Sequence, residues 1–377
     1  VTLHAEAAAQ LEGRDTAGAH DIALEVYRHI VVTNTADAGP GSLREAIAEA
    51  NAQCAQPCRM RFDIPAPAEI VPATPLPPIR ADRIVIDATT APAPVVIDGR
   101  AAGEGLEVHA RCDAVVRGLT LRNFSASQGL WYTWERGCNR REHDQFLVER
   151  NTLESNLRGL RLDGAPRPLV KDNVIRNNRY SGIWMWAGSA WLLENRIENN
   201  GASGIFLGAD VFTAEVLRNT ISGHPHMGVA VAHGARDVEI HGNTMRDNRG
   251  LGIDWGLDGR SPARDDDAEG HGNAPVILSA KYDPGTQTTA VTFTLTTRKL
   301  AQVAGVDVEF FANATPHGEG DEPLAIAYLV RNDGVPVTVT LHRDLRGKWL
   351  NATASRWIDF SELGGTSEFS NSVRVVE

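Results

Sequence analysis

A glycine followed by an apolar residue returns at nearly constant intervals through residues 106–259. The six pairs are Gly129-Leu130, Gly159-Leu160, Gly182-Ile183, Gly204-Ile205, Gly228-Val229 and Gly252-Ile253. The intervals between them are 30, 23, 22, 24 and 24 residues. A period in the low twenties predicts a solenoid, in which each repeat covers the apolar face that its neighbour cannot bury alone.

Within each repeat, short runs of alternating apolar and polar residues predict strands rather than helices. Examples are 115–121 and 238–240, and glycine and asparagine separate such runs. No repeat has room for a ten-residue amphipathic helix or shows the spaced leucines of a leucine-rich repeat. Asparagine suits these turns, and stacked amides can bond along a column. The recurring asparagines are Asn123, Asn151, Asn173, Asn195, Asn219 and Asn243. We therefore expect a parallel β-helix.

The repeats resemble those of the right-handed parallel β-helices of pectate-lyase-like proteins. That resemblance, and not the spacing, implies a right-handed coil.

A short helix is predicted before the repeats. Ser42 and Glu45 have the spacing of a capping box, and Leu43, Ile47 and Ala50 fall on one helical face. A β-helix needs such a cap because its open end exposes both core and strand edges. The stretch 32–47 resembles the SLREAI-type motif that precedes the repeats of secreted bacterial β-helix proteins.

The last hundred residues change character. About seven strand-like runs with turns between them fit a β-sandwich of immunoglobulin or fibronectin type. The runs at 308–313 and 366–371 resemble the sandwich that often follows such β-helices, which implies packing or spacing rather than catalysis. The expected fold class is all-β. The expected divisions are an arm and capping helix over 1–58, the β-helix over 59–262, an acidic linker over 263–273 and the sandwich over 274–377.

Composition narrows the function classes. A net charge of −11 argues against binding nucleic acid by charge alone. No apolar run reaches the length of a membrane span. We expect an exported protein, periplasmic or at the cell surface, and a monomer.

The four cysteines allow three disulfide pairings. Their even number in an all-β chain suits disulfides and export. We favour Cys54–Cys58 and Cys112–Cys138, because the second bond would tie a long insertion at 134–145 to the preceding coil. Four free thiols remain the alternative.

Strand alternation predicts which side chains point outward on one face of the coils. If the first apolar residue after each repeat glycine points inward, the next points outward. This gives one column of Trp131, Arg161, Trp184, Phe206, Ala230 and Asp254, and a second of Thr133, Asp163, Trp186, Gly208, Ala232 and Gly256. Exposed aromatic patches usually mark an interaction site, and flat rings suit the stacking of pyranose sugars. The alternative is that the insertion or the C-terminal unit covers Trp131, Trp184, Trp186 and Phe206.

Polar side chains surround these rings. They are Arg158, Arg161, Asp163, Tyr180, Asp210 and His233, joined from the insertion by Arg140, Arg141, His143 and Asp144. Residues 136–179 carry ten Lys and Arg, whereas 135–172 carry seven acidic residues. A locally basic groove on an acidic protein indicates an anionic ligand such as a polyuronate.

Two reactions are compatible with these residues. β-Elimination from a uronate needs its carboxylate neutralised and a base for the C5 proton, which Arg158 or Arg161 and one of His143, His233 or Tyr180 would supply. Glycoside hydrolysis needs two carboxyl groups across the scissile bond, for which Asp163 and Asp210 are the best pair. We favour elimination from an acidic polysaccharide. Hydrolysis is the first alternative, and a non-catalytic carbohydrate-binding or adhesin module is the second.

Neither reaction is supported by a family motif. The Asp-Pro-His signature of mannuronan epimerases is absent, and so is the calcium-binding aspartate cluster with arginine of pectate lyases. Asp265, Asp266, Asp267 and Glu269 form a weak candidate calcium site, since hard cations prefer several carboxylates, although an acidic linker is the favoured interpretation. We expect that no cofactor is required.

Overall fold

A computed structural model describes residues 27–54, 57–133, 146–165, 167–260, 273–296, 305–329, 334–357 and 363–377. Within them, one helix, α1 (Leu43–Gln53), lies among parallel strands up to residue 255. These strands are β1 (Arg28–Val32), β2 (Cys58–Phe62), β3 (Glu69–Ile70), β4 (Ile84–Asp87), β5 (Val95–Asp98), β6 (Leu106–Val108), β7 (Ala114–Arg117), β8 (Leu119–Arg122), β9 (Gln128–Thr133), β10 (Phe146–Glu149), β11 (Thr152–Glu154), β12 (Arg158–Ala165), β13 (Leu169–Lys171), β14 (Val174–Arg176), β15 (Ile183–Leu193), β16 (Arg196–Glu198), β17 (Ile205–Leu217), β18 (Thr220–Ser222), β19 (Val229–Val231), β20 (Val238–His241), β21 (Thr244–Arg246) and β22 (Ile253–Trp255).

The strands stack into the three faces of a parallel β-helix, as predicted. Face 1 runs through β1, β2, β4, β7, β10, β13, the end of β15, the end of β17 and β20. Face 2 is an eight-stranded sheet of β3, β5, β8, β11, β14, β16, β18 and β21. Face 3 runs through β6, β9, β12, the start of β15, the start of β17, β19 and β22. The chain passes from face 1 to face 2 to face 3 in each coil, so residues of successive coils meet in columns.

The first coils pack against α1. Ser42 caps the helix by accepting a hydrogen bond from the Glu45 amide at 3.2 Å. The other half of the predicted capping box does not form, because the Ser42 amide donates to the Gly39 carbonyl. Leu43 and Ile47, as predicted, lie in the same buried cluster as the inward residues of β1 and β2. Parallel strand pairing begins at β1, which precedes residue 59, the predicted start of the β-helix. The predicted domain boundaries stay predictions.

Two ladders of buried amides hold the corners of the coils. Ladder 1, between faces 1 and 2, contains Asn151, Asn173, Asn195, Asn219 and Asn243. Ladder 2, between faces 2 and 3, contains Asn156, Asn178, Asn200, His224 and Asn248. In a typical step, Oδ1 of Asn195 accepts from both the amide and Nδ2 of Asn173, while its own Nδ2 donates to the Val170 carbonyl. Buried polar groups are thus paired at each corner.

The residue before each amide of ladder 1 from Asn151 onward has the left-handed backbone that makes the corner. The φ angles are +56° at Asp172 and +55° at Glu194, for example. The repeat glycines have a different cause. A Cβ on Gly182 would lie 2.7 Å from Ile197 Cγ2 and 2.8 Å from Asn200 Nδ2, so only glycine fits against the ladder there.

The C-terminal residues form two antiparallel sheets. The strands are β23 (Val276–Asp283), β24 (Thr288–Thr294), β25 (Gly305–Asn313), β26 (Glu322–Leu329), β27 (Val337–Leu341), β28 (Trp349–Trp357), β29 (Leu363–Thr366) and β30 (Val373–Arg374). One sheet has the order β23-β24-β27, and the other has β26-β25-β28-β29 with β30 also on β28. Side chains from both sheets, including Phe293 and Phe310, form one core. We call residues 273–377 the C-terminal unit.

The C-terminal unit closes the end of the β-helix. Phe311 and Phe369 are buried in the β-helix core, with their ring centroids 5.1 Å apart. Three carboxylates of the unit accept from amides of the last coils: Glu309 from Gly242, Glu319 from Asn248 and Glu368 from Trp255. These carboxylates thus accept from backbone N–H groups that a further coil would otherwise pair.

The predicted Cys54–Cys58 disulfide is present, with the Cα atoms 5.8 Å apart. The second predicted bond involves Cys138, which lies outside the described residues. No helix among the residues described is long and apolar enough to cross a membrane.

Candidate functional site

The first outward column of face 3 forms as the alternation predicts. Successive coils bring Trp131 into register with Arg161, Arg161 with Trp184, and Trp184 with Phe206. The column continues through Ala230 to Asp254, and both of these are buried. The half-buried part of the column therefore lies on β9, β12, β15 and β17.

The register of the second predicted column is wrong from Trp186 onward, although Trp186 points outward as predicted. A register shift between Met185 and Ala187 pairs Asp163 with Ala187 instead of Trp186, and Ala187 then pairs with Asp210. Trp186 lies at this bulge and is 48% exposed. A Cβ on Gly208 would lie 2.6 Å from the Trp186 carbonyl oxygen, so the close approach of the bulged strand requires glycine in the next coil.

Arg161 is enclosed by aromatic rings and paired with a carboxylate. Its guanidinium carbon lies 4.4 Å from the Trp131 ring centroid and 5.0 Å from that of Trp184. Asp163, two residues along the same strand and on the same side, places Oδ2 at 2.8 Å from Arg161 Nε. The same Oδ2 accepts a hydrogen bond of 2.8 Å from Trp131 Nε1. The charge of Arg161 is therefore neutralised by Asp163, and its guanidinium is held between the rings of Trp131 and Trp184.

Arg158 differs from Arg161 because it has no carboxylate partner among the described residues. Its guanidinium carbon lies 5.4 Å from the Tyr180 ring centroid and 5.0 Å from that of Trp184. Burial lowers the pKa of Arg158 from its ordinary value, and the positive charge of Arg161 lowers it further. A half-buried cation in this environment is suited to an anionic ligand that supplies the missing charge.

The aromatic rings are less available than the sequence suggested. Trp184 has Arg158 and Arg161 near its ring, and it stacks on Trp186 at 5.5 Å and on Phe206 at 6.0 Å. Trp184 is thus a packing centre rather than an open platform. Of the aromatic side chains predicted to lie at the site, Tyr180 and Trp186 are exposed, at 44% and 48%.

Phe212, which the alternation in the sequence does not single out, is 60% exposed on β17. It follows the Gly188–Val211 pair, where the register of β15 and β17 shifts a second time. Apolar alternation carries no signal for such a shift.

The remaining candidates are spread along the face. Asp163 and Asp210 lie two coils apart, about 10 Å at the usual strand spacing. His233 is exposed on the coil of β19, three coils from Arg158, and its ring lies over Gly256. We call Arg158 and Arg161 the arginine pair. Of the proposed bases that the structure describes, only Tyr180 lies beside one of these two arginines.

Several candidates lie outside the described residues. They are Arg140, Arg141, His143 and Asp144 of the insertion, and Asp265, Asp266, Asp267 and Glu269 of the linker. Within the described part of the chain, no group of three or more His, Cys, Asp or Glu side chains is placed to hold a metal ion.

The basic groove is smaller than the count of charges suggests. Lys171 pairs with Glu149 on face 1, and Arg176 pairs with Glu154 on face 2. Among the described residues, the cations near the rings of face 3 are Arg158, Arg161 and Arg179, the last with its guanidinium carbon 5.8 Å from the Tyr180 ring centroid. The anion-binding potential of face 3 is therefore concentrated around Tyr180.

One protein-family model matches part of the chain. Residues 83–251, less than half of the chain, match a family model described as periplasmic copper-binding protein (NosD). No curated protein matches the chain significantly.

Two solved structures are distantly similar. The periplasmic alginate epimerase AlgG, solved as a double mutant, has a TM-score of 0.36 and 12% identity over 60% of this chain. The chain spans about half, 52%, of that protein. The enzymatically active domain of the bacteriophage CBA120 tailspike protein 2 has a TM-score of 0.25 and 7% identity over 86% of this chain and 73% of its own.

Proposed function

We propose that face 3 binds an acidic polysaccharide and cleaves it by β-elimination. Arg158 neutralises the carboxylate of a uronate, and Tyr180 acts as the base or the acid in the proton transfer. The base removes the C5 proton, the bond between C4 and the glycosidic oxygen breaks, and a C4–C5 double bond forms while the leaving oxygen gains a proton.

The observation that carries this proposal is the lack of a carboxylate partner for Arg158 among the described residues. The guanidinium lies on an aromatic surface formed by Tyr180 and Trp184, which is partly shielded from water. A carboxylate that binds there gains a charge-assisted hydrogen bond in surroundings of lowered dielectric. Neutralising that carboxylate acidifies the adjacent C–H bond, which is the condition that elimination requires.

Hydrolysis is less well supported by the geometry. Oδ2 of Asp163 already accepts from Trp131 Nε1 and contacts Arg161 Nε, so this oxygen is engaged within the protein instead of facing a scissile bond. The separation of about 10 Å from Asp210 is also at the upper limit for an inverting pair.

Binding without cleavage is the second candidate. It is favoured by the distance of His233 from the arginine pair, which leaves Tyr180 as the described base candidate beside Arg158. Copper is not part of this proposal, because the described residues hold no group of three or more His, Cys, Asp or Glu side chains placed to bind a metal ion.

The test is mass spectrometry of products after incubation with a panel of polyuronates and neutral polysaccharides. Elimination yields fragments one water lighter than hydrolysis products, with an ultraviolet absorbance from the new double bond. Saturated fragments would contradict elimination and would favour hydrolysis with Asp163 and Asp210 as the carboxyl pair. Binding of a polyuronate with no fragments would leave the non-catalytic module.

We further propose that the coil is right-handed, that the C-terminal unit has an immunoglobulin or fibronectin topology, and that the protein is an exported monomer of the periplasm or cell surface. At the linker we favour a plain acidic segment over a calcium site.

A further inference from the structure

We propose that Asp163 is a positioning residue that keeps the arginine pair at one net positive charge, so that the site prefers a glycan with one carboxylate per sugar over a sulfated one. This inference rests on the proposed function, since it concerns which anion face 3 accepts. It also gives Asp163 a role other than the catalytic one that the sequence suggested.

The first step is the geometry of Asp163. Its Oδ2 joins Trp131 Nε1 on the preceding coil to Arg161 Nε on its own strand, each at 2.8 Å. Arg161 is then fixed between the rings of Trp131 and Trp184. An arginine held on both faces and paired at Nε has little freedom to turn toward a ligand.

The second step is the charge that remains. Arg158, Arg161 and Asp163 together carry one positive charge, and Asp163 acts on Arg158 as well, because its charge opposes the lowering of the Arg158 pKa. Oδ1 of Asp163 is buried and has no hydrogen-bond partner among the described residues, so no other described donor draws on this carboxylate. One bound carboxylate would complete the neutralisation.

The third step is discrimination. A sugar with both a carboxylate and a sulfate ester brings two negative charges, whereas Arg158, Arg161 and Asp163 together offer one positive charge. An unpaired charge in a partly buried site costs binding energy, and like charges repel. Asp163 would thus act against sulfated glycans.

The test compares the wild-type protein with Asp163→Asn. The amide oxygen of asparagine can still accept from Trp131 Nε1, while the negative charge beside Arg161 is lost. Glu194→Gln is the matched control, because it removes one carboxylate from an exposed pair with Arg218 at the corner between faces 1 and 2. Both variants change the net charge by the same amount.

Calorimetry measures the affinities for an oligouronate and for its sulfated derivative. We expect the ratio of the two affinities to move toward the sulfated ligand by about tenfold in Asp163→Asn and to stay unchanged in Glu194→Gln. The indole N–H resonance of Trp131 should persist in Asp163→Asn, which separates the charge effect from a loss of structure. An unchanged ratio in a protein that binds oligouronate would overturn the inference and leave the proposed function standing.

If the wild-type protein binds neither oligosaccharide, the proposed function fails, and the charge assignment is measured with inorganic sulfate and acetate. A gain of about tenfold in sulfate over acetate in Asp163→Asn alone supports it, and no gain contradicts it.

Discussion

Glu319 stands in the position that a further amide of ladder 2 would occupy above Asn248. The Asn248 amide donates to Glu319 Oε1 at 3.1 Å and to Oε2 at 3.3 Å, and Asn248 Nδ2 donates to Oε1 as well. Asn178 donates to Oδ1 of Asn200 in the same way, through both its amide and its Nδ2. The C-terminal unit thus ends the repeat with a side chain that cannot pass the bonding on to another coil.

Removing this carboxylate should destabilise the protein. In Glu319→Ala, the amide and the side-chain nitrogen of Asn248 lose their acceptor while they stay buried, which costs about 1–3 kcal/mol of unfolding free energy. The measurement is urea-induced unfolding. Glu322→Ala removes an exposed carboxylate, paired with Arg343 at 2.8 Å, from the same unit and should change the free energy by less than about 1 kcal/mol. Equal effects of the two substitutions would contradict the role of Glu319.

Glu319 should also make stability depend on pH. Burial raises the pKa of Glu319 from 4.5 to about 7, and the nearby Asp321 and Asp247 add to the rise, whereas the bonds from Asn248 oppose it. A raised folded-state pKa means that this stabilising contribution is complete below pH 4.5 and is lost as the pH rises through 7. Glu319→Gln does not titrate, so its stability relative to wild type should increase between pH 4.5 and 7. A constant difference over that range would rule out the effect.

His224 should have the opposite dependence. Burial in ladder 2 lowers the pKa of His224 from 6.5 to about 4. Its contribution is complete above pH 6.5 and is lost progressively as the pH falls toward 4, because the unfolded chain takes up the proton first. His224→Asn restores the residue that most other steps of the ladder use. Its unfolding midpoint should match wild type at pH 8 and exceed it increasingly below pH 6.5. A loss of stability at all pH values would indicate that the imidazole fills space that an amide does not.

The β-helix could be predicted because its information is local and repeated. The glycine–apolar pairs fix the alternation of each strand, and alternation alone placed Trp131, Arg161, Trp184 and Phe206 in one column. The bulge at Trp186 could not be predicted, since a shift by one residue leaves the composition of the strand unchanged.

The site was only partly predictable for a related reason. The pairing of Arg161 with Asp163 had a signal, because residues two apart on a strand share a face. Arg158 precedes the alternating run, and its lack of a carboxylate partner among the described residues depends on what other coils place around it. The three carboxylates that accept from the last coils, Glu309, Glu319 and Glu368, lie 67 to 113 residues from their donors, a separation that no short-range pattern reveals.

The aromatic plug at the end of the β-helix should be a main source of stability. Phe369 is 4% exposed and packs so close to Gly252 that a Cβ there would lie 2.6 Å from its ring. Phe369→Ala should cost about 3–5 kcal/mol and expose apolar surface, which size-exclusion chromatography would detect as association. Phe212→Ala makes the same change at a side chain that is 60% exposed, and its effect should stay within about 0.5 kcal/mol. Similar losses in both variants would argue against the plug.

Arg158 should favour binding at the expense of stability. In Arg158→Met, the side chain keeps its apolar contact with Tyr180 and Trp184 but loses the charge that burial disfavours. The unfolding midpoint should therefore be no lower than that of wild type. Affinity for an oligouronate should fall by about tenfold or more, since a charge-assisted bond contributes about 1.5–3 kcal/mol. Arg218→Met removes an exposed cation paired with Glu194 and should leave the affinity unchanged. A variant of Arg158 that unfolds more readily and binds as well as wild type would show that this arginine is part of the packing and not of the ligand site.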